Sequence, residues 1–159
     1  MGTQSHIYDG VAGYVGRPNE KGAVGVFRRP ASGGAWQHVL TDLETHTVFV
    51  HPTDPNVVLA GTADGVWRST DRGATFKRAG FPDTGRQVWS FLGDSRDSTR
   101  IYAGASPVAI YRSENSGESW QRLPDPGIKD RATAPFAVRV MRMVQHPSRR
   151  NEIYAALEI

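Results

Sequence analysis

The sequence of 159 residues contains no cysteine, so neither a disulfide framework nor a cysteine-ligated metal site is possible. It also lacks a charged amino-terminal segment followed by an apolar run, which is the pattern of a secretory signal. No stretch approaches the roughly 18 consecutive apolar residues of a membrane-spanning helix. These absences predict a cytoplasmic protein that has no membrane partner.

A strong excess of one charge is also missing. The formal net charge is +3, and the basic residues are scattered in short groups such as FRR, KDR and SRR. Proteins that bind nucleic acid concentrate positive charge in a patch or stripe, so we do not expect a nucleic acid partner. His46 and His51 are five residues apart on one predicted strand and therefore point to opposite faces. Without ligand spacing among the histidines, we predict no metal and no cofactor.

Sustained apolar periodicity of 3.6 residues is absent too, and an internal repeat takes its place. Residues 65–76, GVWRSTDRGATF, align without a gap with residues 109–120, AIYRSENSGESW, at an offset of 44 residues. A second element recurs three times, as HPTDPNVVLAG (51–61), DSRDSTRIYAG (94–104) and HPSRRNEIYAA (146–156). A short apolar stretch precedes each copy, at 45–50, 88–93 and 140–145.

One repeat unit therefore reads as four short strands: an inner strand at 45–50, then strands at about 57–61, 65–69 and 75–79. Val, Ile and aromatic residues fill the strands, and Gly, Pro, Asp and Asn fill the turns. Four strands in a period of 40–50 residues are typical of a β-propeller blade. We predict a single all-β domain of about three and a half blades, in units of about 1–40, 44–80, 87–123 and 139–159.

The segments STDRGATF and SENSGESW resemble the Asp-box, or bacterial neuraminidase repeat, Ser-x-Asp-x-Gly-x-x-Trp. Such boxes occur in the propellers of sialidases, sortilin-type receptors, xyloglucanases and a photosystem assembly factor. The resemblance implies a hairpin between the third and fourth strands of a blade. In it, Asp or Asn accepts hydrogen bonds from the turn, Gly adopts a positive φ, and the aromatic packs between blades. The residues implied in this structural role are Ser69, Asp71, Gly73, Phe76, Ser113, Asn115, Gly117 and Trp120.

The segment GVFRRP (25–30) invites comparison with the Phe-Arg-Ile-Pro motif of sialidases, whose arginine binds the substrate carboxylate. Arg28 aligns with Arg68 and Arg112 at the end of the third strand. An arginine that recurs in every blade serves the blade, and the isoleucine of the motif is missing. We therefore favour a structural role for Arg28 over a catalytic one.

The beginnings of the inner strands, which line the channel of a propeller, carry residues that do not repeat. Offsets of 43 and 95 residues align Glu44 with Gln87 and Arg139, and they place His46, Trp89 and Met141 at one position. Arg142 likewise aligns with a threonine and a serine, and the longest insertion, 124–139, adds Asp130 and Arg131. Unique polar residues on a repeated scaffold are candidate ligand contacts, although solvated surface residues would look the same. The candidates are Glu44, His46, Gln87, Trp89, Asp130, Arg131, Arg139 and Arg142.

Taken with the resemblance, these residues favour an Asp-box propeller module that binds an anionic or carbohydrate ligand, or a protein partner, without catalysis. A sialidase-like or other glycoside hydrolase fragment is an alternative, although no recognisable pair of carboxylates accompanies it. An assembly or scaffold factor is another. The next box glycine is expected near position 169, so the chain resembles the amino-terminal half of a ring of about seven blades. We expect it to associate with a second copy of itself or with a complementary propeller half.

Overall fold

The computed structural model describes residues 5–13, 23–130, 135–149 and 151–159, and within these ranges it contains thirteen β-strands and no helix. The described ranges accordingly hold no helix that could cross a membrane. The prediction of an all-β chain is confirmed.

The strands form four antiparallel sheets, each in chain order. The first sheet contains β1 (His6–Val11), β2 (Gly25–Pro30) and β3 (Gln37–Thr41). The second contains β4 (Thr45–Val50), β5 (Val58–Thr62), β6 (Gly65–Ser69) and β7 (Lys77–Arg78). The third contains β8 (Gln87–Gly93), β9 (Ile101–Ser106), β10 (Ala109–Ser113) and β11 (Gln121–Arg122). The fourth contains β12 (Arg139–Gln145) and β13 (Ile153–Glu158).

The internal sequence repeat shows which position each strand occupies within its sheet. β6 and β10 are the third strands of the two four-stranded sheets, and β2 carries the residues that align with them. β1 and β3 therefore take the second and fourth positions of the first sheet, while β12 and β13 take the inner and second positions of the fourth. The inner strands β4, β8 and β12 contact one another in sequence, as blades do around a propeller axis.

Each inner strand is interrupted by a bulge at the same place. The register shifts between Thr45 and Thr47 in β4, between Val88 and Ser90 in β8, and between Val140 and Arg142 in β12. The residues at the three bulges are His46, Trp89 and Met141. A bulge leaves one residue outside the ladder and turns its side chain, so these positions are free to carry non-repeated side chains.

Apolar side chains fill the spaces between neighbouring sheets. The largest cluster joins the second and third sheets and includes Leu59, Val66, Ile101, Tyr111 and Trp120. Another joins the third and fourth sheets through Tyr102, Val138, Val140 and Met143. Burying one large apolar side chain stabilises a fold by about 1.5–3 kcal/mol, so these contacts between sheets hold the array together.

The first box hairpin (69–76) is built on the hydroxyl of Ser69 and the carboxylate of Asp71. Ser69 Oγ accepts the backbone N–H of Gly73 at 2.8 Å and donates to Asp71 Oδ1 at 2.7 Å. Asp71 Oδ1 also accepts the backbone N–H groups of Ala74 and Thr75, and Oδ2 accepts the Thr75 hydroxyl at 2.6 Å. Burial alone would raise the pKa of Asp71, but the hydrogen bonds from Thr75, Ser69 and Ala74 outweigh it and lower the pKa to about 2.

The second box hairpin (113–120) repeats this arrangement with Asn115 in the acidic position. Ser113 Oγ accepts the backbone N–H of Gly117 at 2.9 Å, and Asn115 Oδ1 accepts that of Ser119 at 3.0 Å. Trp120 is 7% exposed and donates its indole N–H to the carbonyl of Gly117 at 3.1 Å. The glycine has a φ of 81°, and the residue before it, Ser116, is also left-handed at 55°.

Candidate functional site

Four planar side chains stack at the beginnings of the inner strands. The rings of His46 and Trp89 lie 3.9 Å apart with an interplanar angle of 8°. The guanidinium carbon of Arg139 lies 4.3 Å from the Trp89 ring centre and 4.4 Å from that of Phe136. Two groups this close to one indole cannot share a face, so Trp89 lies between His46 and Arg139. We call these four residues the planar stack.

The stack unites three of the residues singled out from the sequence. His46 lies on β4, Trp89 on β8 and Arg139 on β12, so each of three neighbouring inner strands contributes one side chain. His46 and Trp89 occupy equivalent bulges, which explains why their rings meet. A cation over an aromatic face is attracted by the quadrupole of the ring, most strongly over Trp. The contacts with Trp89 and Phe136 therefore restrict the position of the Arg139 guanidinium.

Two polar side chains hold the edges of the stack. Gln87 Oε1 accepts the indole N–H of Trp89 at 3.2 Å, which leaves the amide nitrogen of Gln87 as the donor of that side chain. Arg139 Nη1 donates to Glu158 Oε2 at 3.2 Å, with 25% of the arginine side chain and 43% of the glutamate side chain exposed. An ion pair this exposed contributes about 0–1 kcal/mol, so an anionic ligand can compete with Glu158 for the guanidinium.

His46 is neutral in this setting. Burial and the nearby charge of Arg139 lower the pKa of His46 to about 4. Both ring nitrogens are buried without a hydrogen-bond partner among the described residues. The His46 ring therefore packs against Trp89 as an uncharged group. Arg139 is then the one charged residue of the planar stack.

A cavity of about 200 Å³ opens beside the stack. Its lining residues are Gly85, Gln87, Ser106, Pro107, Phe136, Ala137 and Arg139. The cavity thus combines a guanidinium, an amide and a hydroxyl with an aromatic wall. Groups of this kind hydrogen-bond to hydroxyl and carboxylate oxygens.

The other candidates lie apart from this cavity. Glu44 is exposed, and its carboxylate lies where a side chain at Gly13 would have to be. Asp130 is exposed, and its backbone carbonyl accepts the N–H of Val138 at 2.9 Å. Arg142 is exposed on β12 and is absent from the lining of the cavity. Arg131 lies outside the described residues.

Arg28, which was weighed as a carboxylate-binding arginine, contacts protein groups. Its Nη1 donates to the backbone carbonyl of Arg72 in the next sheet at 2.9 Å, and its Nε donates to Gln37 Oε1 at 3.0 Å. Both acceptors belong to the blades themselves, and neither lies in the planar stack.

Phe136 and Glu158 were not among the residues singled out from the sequence. Glu158 lies directly opposite Arg139 in the register of β12 and β13, so the pairing of the repeats was a signal for it. Phe136 belongs to the long insertion, for which no repeated copy exists, and nothing in the sequence pattern pointed to its contact with Arg139.

A wider cavity of about 500 Å³ lies at the opposite ends of β4 and β8. Its lining includes Phe49, Val50, Pro52, Asp94 and Arg96. Asp94 is already an acceptor for the backbone of Arg96 and for the side chain of Gln145, so its carboxylate serves the turn at 94–97. Among the described residues no group of three or more His, Asp or Glu side chains could hold a metal ion.

Solved structures share this architecture. An ancestral GH74 enzyme matches 92% of the chain with a TM-score of 0.65 and 21% identity. The GH74 xyloglucanase from Xanthomonas campestris matches 87% with a TM-score of 0.61 and 25% identity. YCF48 from Cyanidioschyzon merolae matches 92% with a TM-score of 0.54 and 14% identity.

The chain spans 22%, 23% and 46% of the lengths of these three structures, respectively. No protein-family model matches the chain, and no curated protein matches it. The similarity to solved structures, together with the four antiparallel sheets, identifies the fold as that of β-propeller blades.

Proposed function

We propose that the chain is an Asp-box β-propeller segment that binds an acidic carbohydrate at the planar stack. One observation carries this proposal. The guanidinium of Arg139 is clamped between two aromatic rings beside a cavity of about 200 Å³ that Gln87 and Ser106 also line. A clamped arginine is preorganised, so binding an anion costs little additional side-chain entropy.

The covered faces of Trp89 determine how a sugar would bind. Since His46 and Arg139 occupy both faces of the indole, a sugar ring cannot stack on it. Recognition then rests on hydrogen bonds from Arg139 and Gln87, which suits a carboxylate flanked by hydroxyl groups. The structural similarity to GH74 enzymes supports a carbohydrate as the ligand class, and the two box hairpins support the Asp-box assignment.

The test compares two arginines of one strand. Isothermal titration calorimetry with an oligogalacturonate and with a neutral xyloglucan oligosaccharide should give tighter binding of the acidic ligand. Arg139→Gln should weaken it at least tenfold, because a charge-assisted hydrogen bond is lost. Arg142→Gln, on the same strand but away from the cavity, should leave the affinity unchanged. Equal losses in both variants would indicate general electrostatic attraction and would refute the site.

A second candidate is the glycoside hydrolase alternative, which the similarity to GH74 enzymes favours. Hydrolysis generally needs two carboxylates about 5–10 Å apart across the scissile bond. Near the stack, the carboxylate of Glu158 is paired with Arg139, and that of Glu44 lies against Gly13. Release of reducing ends from xyloglucan by this chain, abolished in Glu158→Gln, would favour hydrolysis over binding alone.

A further inference from the structure

The turn that follows each inner strand is held by the side chain of its first residue. In the second sheet, His51 Nδ1 accepts the backbone N–H of Asp54 at 3.1 Å. In the third, Asp94 Oδ1 accepts the backbone N–H of Asp97 at 3.2 Å, and the fourth sheet repeats the arrangement. The first residue of each turn thus uses one polar atom to hold the turn and has a second polar atom for another contact.

Beside the turn of the third sheet, a side chain of the fourth sheet makes that second contact. Gln145 is the last residue of β12, and its Nε2 donates to Asp94 Oδ2 at 3.0 Å. Its Oε1 accepts the backbone N–H of Ser95 at 3.1 Å. One amide therefore spans the space between a turn and the end of the next inner strand.

The same bridge cannot form between the second and third sheets. Gly93 ends β8 as Gln145 ends β12, and both take the same place in the register with the following strand. Pro52 takes the place of Ser95 and has no N–H to donate. The cavity of about 500 Å³ lies here, with Gly93 and Pro52 in its lining. It exists where the repeat loses both halves of the bridge.

His51 lacks the contact that Asp94 receives from Gln145. Because Nδ1 accepts a backbone N–H, a neutral His51 ring carries its hydrogen on Nε2. The residue is 5% exposed, and Nε2 is buried without a hydrogen-bond partner among the described residues. Val50 and Pro52, its neighbours in the chain, both line the cavity. The turn that borders the cavity therefore carries a donor that lacks an acceptor.

The polar side chains of the lining offer donors as well. Arg96 is exposed, and within the described part of the chain no residue pairs with its guanidinium. Ser98 Oγ accepts the Thr53 hydroxyl at 3.1 Å, so the Ser98 hydroxyl hydrogen can be donated to a ligand. Both oxygens of Asp94 already accept hydrogen bonds, and Arg100 Nη1 lies 3.8 Å from Oδ2. The charge that a ligand would meet is therefore the positive charge of Arg96.

The apolar part of the lining consists of Phe49, Val50 and Pro52. A methyl group at Gly93 would lie 3.2 Å from Phe49 Cζ, so the glycine leaves this edge of the ring without a covering side chain. Phe49 itself packs against the buried cluster that joins the second and third sheets. Cavities that bind small molecules measure about 300–1,000 Å³ and combine apolar walls with a few polar groups, as this one does.

We propose that this cavity binds a small aromatic carboxylate. The aromatic ring packs against Phe49 and Pro52, while the carboxylate accepts hydrogen bonds from the Arg96 guanidinium and the Ser98 hydroxyl. The ligand thereby takes the place that Gln145 fills between the third and fourth sheets. The cavity lies at the opposite ends of β4 and β8 from the planar stack, so this proposal does not rest on the function proposed for the stack.

Titration of the full nitrogen-labelled chain with phenylpropionate and with phenylpropanamide, followed by NMR, tests the proposal. We expect saturable shifts of the amide signals of Ser95 and Ser98. The carboxylate should bind about tenfold more tightly than the amide, because only the carboxylate forms a charged contact with Arg96. Arg96→Gln should remove this difference by weakening the binding of phenylpropionate alone.

Arg149→Gln is the matched control. Arg149 lies in the equivalent turn of the fourth sheet and pairs with Glu152, outside the cavity, so its loss should leave both affinities unchanged. Gly93→Gln supplies the side chain that Gln145 provides in the next pair of sheets, and it should abolish the binding of both ligands. Arg96→Gln alters an exposed residue and remains informative if Gly93→Gln fails to fold.

Three results would overturn the proposal. The first is a lack of saturation at millimolar ligand, or equal affinity for the acid and the amide. The second is equal weakening by Arg96→Gln and Arg149→Gln, because general attraction between charges would then explain the binding. The third is a set of shifts confined to Gln87 and Ser106, which would assign carboxylate binding to the cavity beside the planar stack alone.

Discussion

Gly117→Ala tests how tightly neighbouring blades fit together. Gly117 has a φ of 81°, a left-handed conformation that costs an L-residue about 1–2 kcal/mol. The added methyl group would also lie 2.7 Å from Leu59 Cδ2 and 2.8 Å from Cδ1. Leu59 is 0% exposed and belongs to a buried cluster, so a shift of its side chain must displace other buried side chains. Overpacking of this kind costs about 1–3 kcal/mol, which brings the expected loss of unfolding free energy to about 2–5 kcal/mol.

Gly85→Ala is the control that separates these two costs. Gly85 has a φ of 70°, close to that of Gly117, but nothing lies within 4 Å of a methyl group there. We therefore expect Gly85→Ala to lose only the backbone contribution, about 1–2 kcal/mol. For a chain of this size, each kcal/mol lowers the melting temperature by about 2–4 °C, so circular dichroism should resolve the two variants.

A double-mutant cycle assigns the difference to the contact between blades. Leu59→Ala alone should cost about 2–5 kcal/mol, because it leaves a cavity in the cluster that joins the second and third sheets. In the double variant the methyl group added at position 117 enters that cavity, so the combined loss should fall short of the sum by about 1–3 kcal/mol. Full additivity, or a Gly117→Ala variant no less stable than Gly85→Ala, would refute the packing described here.

Three further perturbations concern hydrogen bonds and charge. Asp71→Ala should lower the unfolding free energy by about 1–2 kcal/mol without altering ligand affinity, and a lost affinity at unchanged melting temperature would contradict this. Arg68→Gln should cost about 1–2 kcal/mol in urea unfolding by removing the bond to Ser116, whereas an unchanged midpoint would show that bond to be dispensable. The pKa of His46 is lowered to about 4, so the folded chain favours neutral His46. The free energy of unfolding should therefore be highest above about pH 6.5 and should decrease as pH falls to about 4. Solvent screening at this partly exposed site limits that decrease to about 1–2 kcal/mol. If the assignment is right, the melting temperature of His46→Phe should change less between about pH 4 and pH 6.5 than that of the unmodified chain.

The fold could be predicted because its information is local and repeated. Turn residues such as Asp71 and Gly73 act within eight residues of chain, and the same pattern recurs at 113–120, so the two copies support each other. The inner strands were placed correctly for the same reason. The positive φ of Arg72 and Ser116 was not predicted, because their residue types carry no signal for it.

The planar stack could be predicted only in part. The equivalence of His46 and Trp89 places them on neighbouring inner strands, but the bulges that turn their rings toward each other leave no mark in residue type. Arg139 was singled out because it is unique among its equivalents, while its contact with Phe136 depends on how a single insertion folds. Contacts that occur once in a repeat protein have no second copy to reveal them.

The arginines at repeated positions therefore differ in their contacts from Arg139, which occurs only once among its equivalents. Arg28 and Arg68 each donate a guanidinium N–H to a backbone carbonyl of the next blade, and Arg112 presents the same group at the same register. A group that recurs in this way cannot distinguish one blade from another, so it suits the task of joining them. Arg139 stands where its equivalents are Glu44 and Gln87, and only there does a cation lie between two aromatic rings beside a cavity, within the described part of the chain. The donors of Arg139 are held by one exposed carboxylate rather than by the backbone, and for that reason we propose Arg139, and not Arg28, as an arginine that binds a ligand.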